Sequence, residues 1–345
     1  MKVLIVNNMV PFLWGGAEAL ADNLVQKLNA TPGVRAELIK IPFNWEPAER
    51  LIEEILICRS MRSHETDLMI GLKFPAYLVP HNRKRLWLLH QYRQAYDLWE
   101  AGQSNIPNTQ RGREIRQAMI EADNRCFSFC DKIFALGGAA KRLRRYNGFD
   151  SEIMVQPLND PELFSGGSYG SYVFCGGRIN AGKRQHLLVE AMRFTRSKIK
   201  LVVAGPPDTP TDAARLQDPV ERHNLNDRVH LDLGFLPRER IAKYVNEALA
   251  CAYLPFDEDS ISYVAIESFS SAKAVLTVND SGGLLDMVRD GDTGLVVHPD
   301  PQSLASALDR LANNRNTTIT MGKEAHAVWV GMNVTWPVTI ERLLG

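Results

Sequence analysis

The sequence predicts an α/β protein built from two Rossmann-like, doubly wound parallel-sheet domains. Short apolar runs recur along the chain with almost no polar alternation, which is typical of strands buried on both faces of a parallel sheet. Amphipathic stretches lie between these runs, and strands that alternate with helices favour the parallel arrangement. With 345 residues, of which 45% are hydrophobic, the chain is long and apolar enough for two domains.

The first half of the chain is predicted to hold six strands and two clear helices. The predicted strands span residues 3–7, 35–41, 68–71, 86–89, 133–136 and 152–155, and the predicted helices span 17–28 and 113–129. The polar stretch 91–110 shows neither the apolar run of a buried strand nor the periodicity of an amphipathic helix, so we expect it to form a long excursion from the sheet.

The second half repeats the alternation more regularly. Its predicted strands span residues 172–175, 199–204, 228–233, 250–254, 274–278 and 294–297, and its predicted helices span 185–193, 238–248, 265–271 and 302–313. The composition Ser-Gly-Gly-Ser-Tyr-Gly at residues 165–170 is typical of a flexible linker. We therefore expect one domain over residues 1–168 and a second over 169–323. The tail, about residues 324–345, is expected to pack back onto the first domain.

Composition argues against several classes of protein. Basic and acidic residues number 40 each, so the chain lacks the basic excess of a nucleic-acid binder. No run approaches the ~18 apolar residues of a membrane span, and the first residues are predicted to form a strand rather than a signal peptide. Five cysteines without CxxC spacing are typical of reduced thiols and give no zinc site. These features predict a cytoplasmic protein.

Two acids at a spacing of eight form the most informative motif. Asp259 and Glu267 lie where a loop after a predicted strand becomes a helix, and this spacing brings both side chains to one helix face. The unpaired N–H groups at a helix start suit a phosphate, and a nearby carboxylate can accept hydrogen bonds from a ribose diol. The motif therefore indicates a nucleotide site. The alternative is an ordinary solvated helix face.

Two further loops, each at the end of a predicted strand, have sequences that favour the binding of an anion. Gly15 and Gly16 precede the first helix, where glycines let backbone N–H groups approach a phosphate closely. Arg178 and Lys183 lie in a glycine-flanked loop and could neutralise a diphosphate without a metal. Neither loop has the dinucleotide or Walker pattern. A plain glycine turn and a solvated basic loop are the alternatives.

His90 ends a strand-like run in the first half. A histidine at the carboxyl end of a strand could contact a bound sugar or balance charge near the reacting carbon. A purely structural histidine is the alternative.

Taken in order, these elements resemble the retaining glycosyltransferases of the GT-B fold, the nucleotide-sugar-dependent family called glycosyl transferases group 1. The resemblance covers nearly the whole chain and implies two Rossmann-like domains that face a central cleft, the first on the acceptor side and the second binding the donor. The residues that carry it are Gly15-Gly16, Arg178 and Lys183, Asp259 and Glu267, and Gly282-Gly283 followed by Gly291, Gly294, Leu295 and Val296.

The family pattern implies a role for each matched residue. Glu267 is expected to hold the ribose, Arg178 and Lys183 the diphosphate, and Gly15-Gly16 a further part of the donor. Asp259 is expected to face the sugar hydroxyls and His90 the reacting end, so His90, Asp259, Arg178 and Lys183 are the expected catalytic residues. The remaining donor contacts are expected at Phe235, Leu236, Ser260, Ile261, Ser262, Tyr263 and Val264, and acceptor contacts at Trp14, Tyr92 and Arg93.

The sequence also departs from the family pattern. The first acid is Asp259 rather than glutamate, which is one methylene longer, so its contact with the sugar is expected to shift. The usual Gly-Phe-Gly after it is Ser260-Ile261-Ser262, which puts the close backbone approach to the sugar in doubt.

The resemblance implies a retaining transferase that moves a hexose from a nucleotide diphosphate sugar to a glycan or lipid-linked saccharide, as in polysaccharide biosynthesis. A UDP-glucose-like donor is the first expectation and GDP-mannose the second, with front-face displacement and neither metal nor cofactor. A lipid-linked acceptor would put the enzyme at the inner face of the plasma membrane, where the basic run 141–145 could meet anionic headgroups unless it is a solvated helix face. The alternatives are a non-catalytic nucleotide-sugar-binding protein, a nucleotide-sugar epimerase, and a metal-dependent transferase that uses Asp257 and Asp259.

Overall fold

The computed structural model describes residues 1–12, 14–259 and 261–345. The chain forms two compact units. Unit 1 comprises Met1–Pro157 together with Trp336–Gly345, and unit 2 comprises Leu158–Thr335. The division therefore lies earlier than the expected boundary after residue 168, and the end of the chain returns to unit 1 only after residue 335.

The described residues contain strands and helices in alternation. The strands are β1 (Lys2–Met9), β2 (Arg35–Pro42), β3 (Leu68–Lys73), β4 (Lys84–His90), β5 (Lys132–Ala135), β6 (Glu152–Ile153), β7 (Tyr172–Gly176), β8 (Lys200–Ala204), β9 (Val229–Asp232), β10 (Ala250–Ala252), β11 (Val275–Val278) and β12 (Gly294–Val297). The helices are α1 (Gly16–Asn29), α2 (Leu51–Ser60), α3 (Asp97–Glu100), α4 (Gln110–Ser128), α5 (Gly137–Arg142), α6 (Gln185–Ala191), α7 (Pro210–Arg222), α8 (Arg238–Glu247), α9 (Tyr263–Ser270), α10 (Pro301–Asn313), α11 (Arg315–Gly331) and α12 (Trp336–Leu344).

Each unit contains one parallel sheet of six strands. The order is β2-β1-β3-β4-β5-β6 in unit 1 and β12-β11-β10-β7-β8-β9 in unit 2. The chain changes direction across the sheet between β1 and β3 in the first case and between β7 and β10 in the second. Open α/β sheets bind ligands at such switch points, beyond the carboxyl ends of the strands.

The sequence prediction of two doubly wound parallel sheets is confirmed. Each predicted strand has an observed counterpart, and β3 is buried along its whole length, as the lack of polar alternation predicted. The prediction missed several helices, among them α2, α5 and α7, and in α7 the periodicity is interrupted by Pro210 and Pro219. Pro210 opens the helix, where no N–H partner is needed, and the Thr209 side chain accepts a hydrogen bond from the Asp212 N–H.

The glycine-rich segment 165–170 lies within unit 2 and packs against other parts of it instead of forming a free linker. The Lys273 ammonium donates to the Ser168 carbonyl at 3.0 Å, and the Arg315 guanidinium donates to the Gly170 carbonyl at 2.8 Å. A Cβ on Gly170 would lie 2.5 Å from the Glu247 carbonyl oxygen. The glycines therefore serve close packing here, and flexibility read from composition was the wrong inference.

Helix α12 completes one face of the unit 1 sheet. Trp336, Ile340 and Leu343 are buried in the same cluster as Ile5 of β1. The buried Arg85 of β4 donates to the Leu343 carbonyl at 2.5 Å, so a cation lies at the negative end of this helix. The expected return of the tail to the first domain thus begins with α12, whereas α11 belongs to unit 2.

Candidate functional site

The candidate donor site lies at the switch point of the unit 2 sheet, where loops follow β7 and β10. A Cβ on Gly177, just after β7, would lie 3.5 Å from a methyl group of Val264 in the first turn of α9. Gly177 and Gly205 both have positive φ, and a Cβ on Gly205 would lie 2.0 Å from the Gly177 carbonyl oxygen. The loop that carries Arg178 therefore runs directly against the start of α9, as an anion site built from both would require.

Lys183 contacts a carboxylate that the sequence analysis did not assign. Its ammonium donates to the Glu258 carboxylate and to the Tyr253 hydroxyl, and it lies 4.9 Å from the Tyr253 ring centroid. The Tyr253 hydroxyl in turn donates to Glu258 Oε2 at 2.7 Å. Burial first, and the Glu258 charge second, raise the pKa of Tyr253 well above its usual value. The positive charge of Lys183 is thus balanced by an acid from the loop after β10.

Arg178 retains more contact with solvent than Lys183 does. Its guanidinium lies 3.4 Å from Asp208 Oδ1 and its side chain is 34% exposed. Its carbonyl accepts a hydrogen bond from the Gln185 amide at 2.8 Å, which fixes the backbone of the loop. A partly exposed cation at the carboxyl end of β7 can meet an anionic ligand.

The next basic residue, Arg184, holds the loops together. It adopts a left-handed conformation, with φ of 55°. Its guanidinium makes a two-pronged contact with Asp280 at 2.9 and 2.6 Å and donates to the Leu254 carbonyl at 2.8 Å. Hydrogen bonds and charge lower the pKa of Asp280. Arg184 therefore ties the loop after β7 to those after β10 and β11.

The Gly282-Gly283 pair packs closely against the backbone of Glu258 and Asp259. A Cβ on Gly282 would lie 2.3 Å from the Glu258 carbonyl oxygen, and one on Gly283 would lie 2.6 Å from that of Asp259. The Gly283 N–H donates to the Glu258 carbonyl at 2.7 Å. In this structure the pair serves close backbone packing. Ser260, an expected donor contact, lies outside the described residues.

Helix α9 begins beside this segment. Ser262 is its N-cap and accepts a hydrogen bond from the Ala265 N–H at 3.4 Å, while Ile261 is buried. The Tyr263 hydroxyl donates to Asn159 at 3.4 Å, and burial raises the pKa of Tyr263. The first-turn N–H groups of a helix lack partners in a preceding turn and suit a phosphate, and the phosphate contact expected around residues 260–264 stays a prediction.

Glu267 lies one helical turn further along α9 and is 3% exposed. Its Oε1 accepts a hydrogen bond from Arg238 at 2.7 Å. Burial raises the pKa of Glu267, and Arg238 opposes that effect. Arg238 was not predicted from the sequence, although it opens α8 two residues after Leu236, the second of the expected base contacts Phe235 and Leu236. Phe235 is 76% exposed and Leu236 is half-buried.

In unit 1, a second set of predicted residues lies at the carboxyl end of the sheet. Gly15 caps α1, and its N–H donates to Glu18 Oε2 at 3.0 Å. Lys73 at the end of β3 pairs with Glu18 Oε1 at 2.6 Å, and lies beside His90 in the neighbouring β4. Burial would raise the pKa of Glu18, but Lys73 and the hydrogen bonds outweigh it and lower the pKa. His90 is exposed, with Nδ1 3.1 Å from the Gln91 carbonyl oxygen.

The three expected acceptor contacts differ in their surroundings. Trp14 is 46% exposed and lies below the Lys40 ammonium, 5.1 Å from the ring centroid. The Tyr92 ring packs against Phe74, with centroids 5.6 Å apart. Arg93 Nε donates to Asp97 at 2.8 Å. All three remain predictions.

Two kinds of feature are absent from the part of the chain that the structure describes. Across residues 1–12, 14–259 and 261–345, no cluster of three or more histidine, cysteine or acidic side chains could hold a metal ion. Over the same ranges, no helix combines the length and apolarity needed to span a bilayer.

Residues 169–328 match the family model described as "Glycosyl transferases group 1". The α-maltose-1-phosphate synthase of Mycolicibacterium smegmatis is 30% identical over 145 residues, which cover 41% of this chain and 37% of that protein. The D-inositol 3-phosphate glycosyltransferase of Acidothermus cellulolyticus is 30% identical over 154 residues, covering 44% of this chain and 33% of that protein. The chain thus aligns with only about a third of the length of these curated relatives.

Solved structures share the fold along the whole chain. The crystal structure of HepE from Anabaena in complex with UDP and glucose has a TM-score of 0.72 at 16% identity, and the match covers 100% of this chain and 99% of that one. At this identity the likeness establishes the fold, which is GT-B.

Proposed function

We propose, from the match of residues 169–328 to the family model "Glycosyl transferases group 1", that the chain transfers a hexose from a nucleotide diphosphate sugar to an acceptor hydroxyl. The observation that carries this proposal is the convergence at the unit 2 switch point. There the Arg178 loop runs against the start of α9, Lys183 faces the loop after β10, and Glu267 lies one turn along α9. Cations, helix N–H groups and a carboxylate are what a diphosphate joined to a ribose requires.

We take UDP-glucose, or a closely similar UDP-hexose, as the first donor and GDP-mannose as the second. Support for the first comes from the HepE fold match, since that protein was solved with UDP and glucose. In our assignment Glu267 accepts hydrogen bonds from the ribose hydroxyls, and Phe235 and Leu236 flank the base. Asp259 faces the sugar hydroxyls.

The proposed reaction is a front-face displacement that retains the anomeric configuration. The acceptor oxygen bonds to the anomeric carbon as the bond from that carbon to the diphosphate oxygen breaks, and the leaving oxygen takes the acceptor proton. Arg178, Lys183 and the start of α9 stabilise the charge that grows on the diphosphate, with no metal required. His90 of unit 1 is assigned to the reacting end of the sugar on the family pattern alone.

For the acceptor we propose a glycan or a lipid-linked saccharide, met in the cytoplasm or at the inner face of the plasma membrane. Trp14 offers an exposed aromatic face that suits stacking on a sugar ring. The basic run 141–145, which begins in the last turn of α5, supports a membrane contact less well, because Arg144 pairs with Asp150 and Arg145 with Glu100.

Calorimetric titration with UDP, GDP, ADP and dTDP in the presence of EDTA tests the donor site. Lys183→Ala should weaken binding of the preferred nucleotide by about ten- to a hundredfold, because charge-assisted contacts to a phosphate are worth roughly 1.5–3 kcal/mol. Lys200→Ala is the matched control, since this exposed lysine begins β8 at the opposite end of the same sheet. No binding of any nucleotide, or binding that needs a divalent metal, would contradict the proposal.

A non-catalytic nucleotide-sugar-binding protein is the second candidate, favoured by the departure of Asp259 and Ser260-Ile261-Ser262 from the family pattern. Such a protein would bind donor but release no free nucleotide over prolonged incubation with acceptor mixtures. Conversion of the donor sugar without any acceptor would instead indicate an epimerase.

A further inference from the structure

Arg238 joins three parts of unit 2 through one guanidinium. Its Nη1 donates to Glu267 Oε1 at 2.7 Å, while Nε and Nη2 donate to the two oxygens of Asp160 at 2.8 and 2.7 Å. The guanidinium carbon lies 4.9 Å from the Phe164 ring centroid. A planar fork that is gripped by one carboxylate and stacked near a ring has a fixed orientation, so the direction of Nη1 is fixed as well.

Glu267 depends on this contact. Its side chain is 4% exposed, and an isolated carboxylate would be costly at that burial. Within the described ranges, Arg238 is the one side chain that hydrogen-bonds the Glu267 carboxylate, and it uses Oε1. A carboxylate held through one oxygen presents the other in a defined direction.

The position of Arg238 in the fold brings it next to the residues that we assign to the nucleotide. It is the first residue of α8 and follows directly on the loop with Phe235 and Leu236, which we assign to the base. Glu267, which we assign to the ribose, is its ion-pair partner. Arg238 thus lies between the base and ribose parts of the proposed donor site.

We propose that Arg238 is a positioning residue for ribose recognition, which orients Glu267 so that its second oxygen accepts hydrogen bonds from the nucleotide 2′- and 3′-hydroxyls. This inference rests on the proposed donor function. Asp160 supports this role, because its carboxylate pairs with the Arg238 guanidinium and fixes its orientation. Loss of Arg238 should therefore remove discrimination between ribose and 2′-deoxyribose more than it removes affinity for the diphosphate.

The test is calorimetric titration of the full chain with UDP and with 2′-deoxy-UDP, or with GDP and 2′-deoxy-GDP if guanine is preferred. The wild-type protein should favour the ribose form by about tenfold or more, because a site that hydrogen-bonds a hydroxyl rejects the analogue that lacks it. Arg238→Gln should bring this ratio close to one, and Asp160→Asn should lower it less. Arg238→Lys, which keeps the charge but not the fork, should also lose the ratio and serves if the glutamine variant fails to fold.

Arg240→Gln is the matched control, because Arg240 lies on the same helix and pairs with Asp232. It should leave both affinities and their ratio unchanged. If the wild-type protein binds no nucleoside diphosphate, the proposed function itself fails. If it binds UDP, and the Arg238 variants keep the wild-type ratio or weaken both ligands equally, Arg238 has only a structural role and the inference is overturned.

Discussion

At the scale of single residues, the pairing of Lys183 with Glu258 sets the energetics of the proposed donor site. A diphosphate that approaches Lys183 must displace the Glu258 carboxylate or share the ammonium with it, and two anions close together repel each other. Glu258→Gln removes that repulsion and keeps a polar partner for Tyr253. We predict that UDP affinity rises by about three- to tenfold, as measured by calorimetry at low salt.

The same substitution at Glu247, an exposed acid at the end of α8, should leave UDP affinity unchanged. Weaker UDP binding by Glu258→Gln would mean that Glu258 supports the nucleotide site, and electrostatic competition would be the wrong explanation.

Asp123 of α4 is expected to make the free energy of unfolding of unit 1 depend on pH. It is 1% exposed and accepts hydrogen bonds from Tyr77 and Tyr96 at 2.9 and 2.6 Å. Burial raises its pKa to about 7, and the two hydroxyls only partly oppose that effect. Between the usual value of 3.8 and about 7, the folded state therefore holds a proton that the unfolded state has lost.

It follows that the free energy of unfolding of unit 1 should fall as pH rises through this window, by at most about 1.4 kcal/mol per pH unit from this group. Asp123→Asn should flatten that slope, because the amide does not titrate. Denaturant unfolding of both proteins at about pH 5 and about pH 7 measures the difference. Equal slopes in the two proteins would mean that Asp123 is ionised when folded.

At the scale of elements, the loops after β10 and β11 must approach each other closely for the proposed donor site to form. Gly282 has φ of 72°, and a Cβ there would lie 2.3 Å from the Glu258 carbonyl oxygen. Gly282→Ala should push the Glu258–Asp259 segment away and weaken UDP binding by about tenfold or more. Calorimetry measures the loss, and circular dichroism shows whether the fold is kept.

A matched variant at Gly291 distinguishes the effect of backbone strain at Gly282 from the effect of steric clash. Its φ is 76°, almost the same as that of Gly282, but a Cβ there would have nothing within 4 Å. Gly291→Ala should therefore cost about 1 kcal/mol of stability and leave UDP affinity unchanged. Equal loss of affinity in both variants would trace the effect to backbone strain.

The same elements indicate what sequence could and could not predict. Burial on both faces leaves a pattern within each strand, so the strands could be predicted, and with them the loops that follow, such as the one that carries Arg178. Arg238 and Glu258 could not, because their partners lie far away in sequence and meet them only through the order of strands in the sheet. Proline in α7 and glycine before β7 misled the prediction, because Pro210 opens a helix and the glycines allow close packing, and composition reveals neither role.

At the scale of the whole molecule, unit 1 is built from both ends of the chain. Unit 2 interrupts it between Pro157 and Trp336, and α12 then supplies part of its core. The last segment of the sequence should therefore govern the stability of the first unit, whereas the proposed nucleotide contacts at Arg178, Lys183 and Glu267 belong to unit 2.

Two tryptophans that are close in sequence but lie in different units test this division. Trp336 of α12 is 6% exposed and packs in unit 1, whereas Trp329 of α11 is 9% exposed and lies in unit 2. Truncation of a buried tryptophan to alanine costs about 3–5 kcal/mol. Trp336→Ala should thus speed hydrogen exchange in β1 and α1 and leave β7 and β10 protected, with UDP binding retained. Trp329→Ala should instead speed exchange in β7 and β10 and leave β1 and α1 protected. If both variants loosened the same set of strands, the assignment of α12 to unit 1 would be wrong, and the chain would not return across the unit boundary.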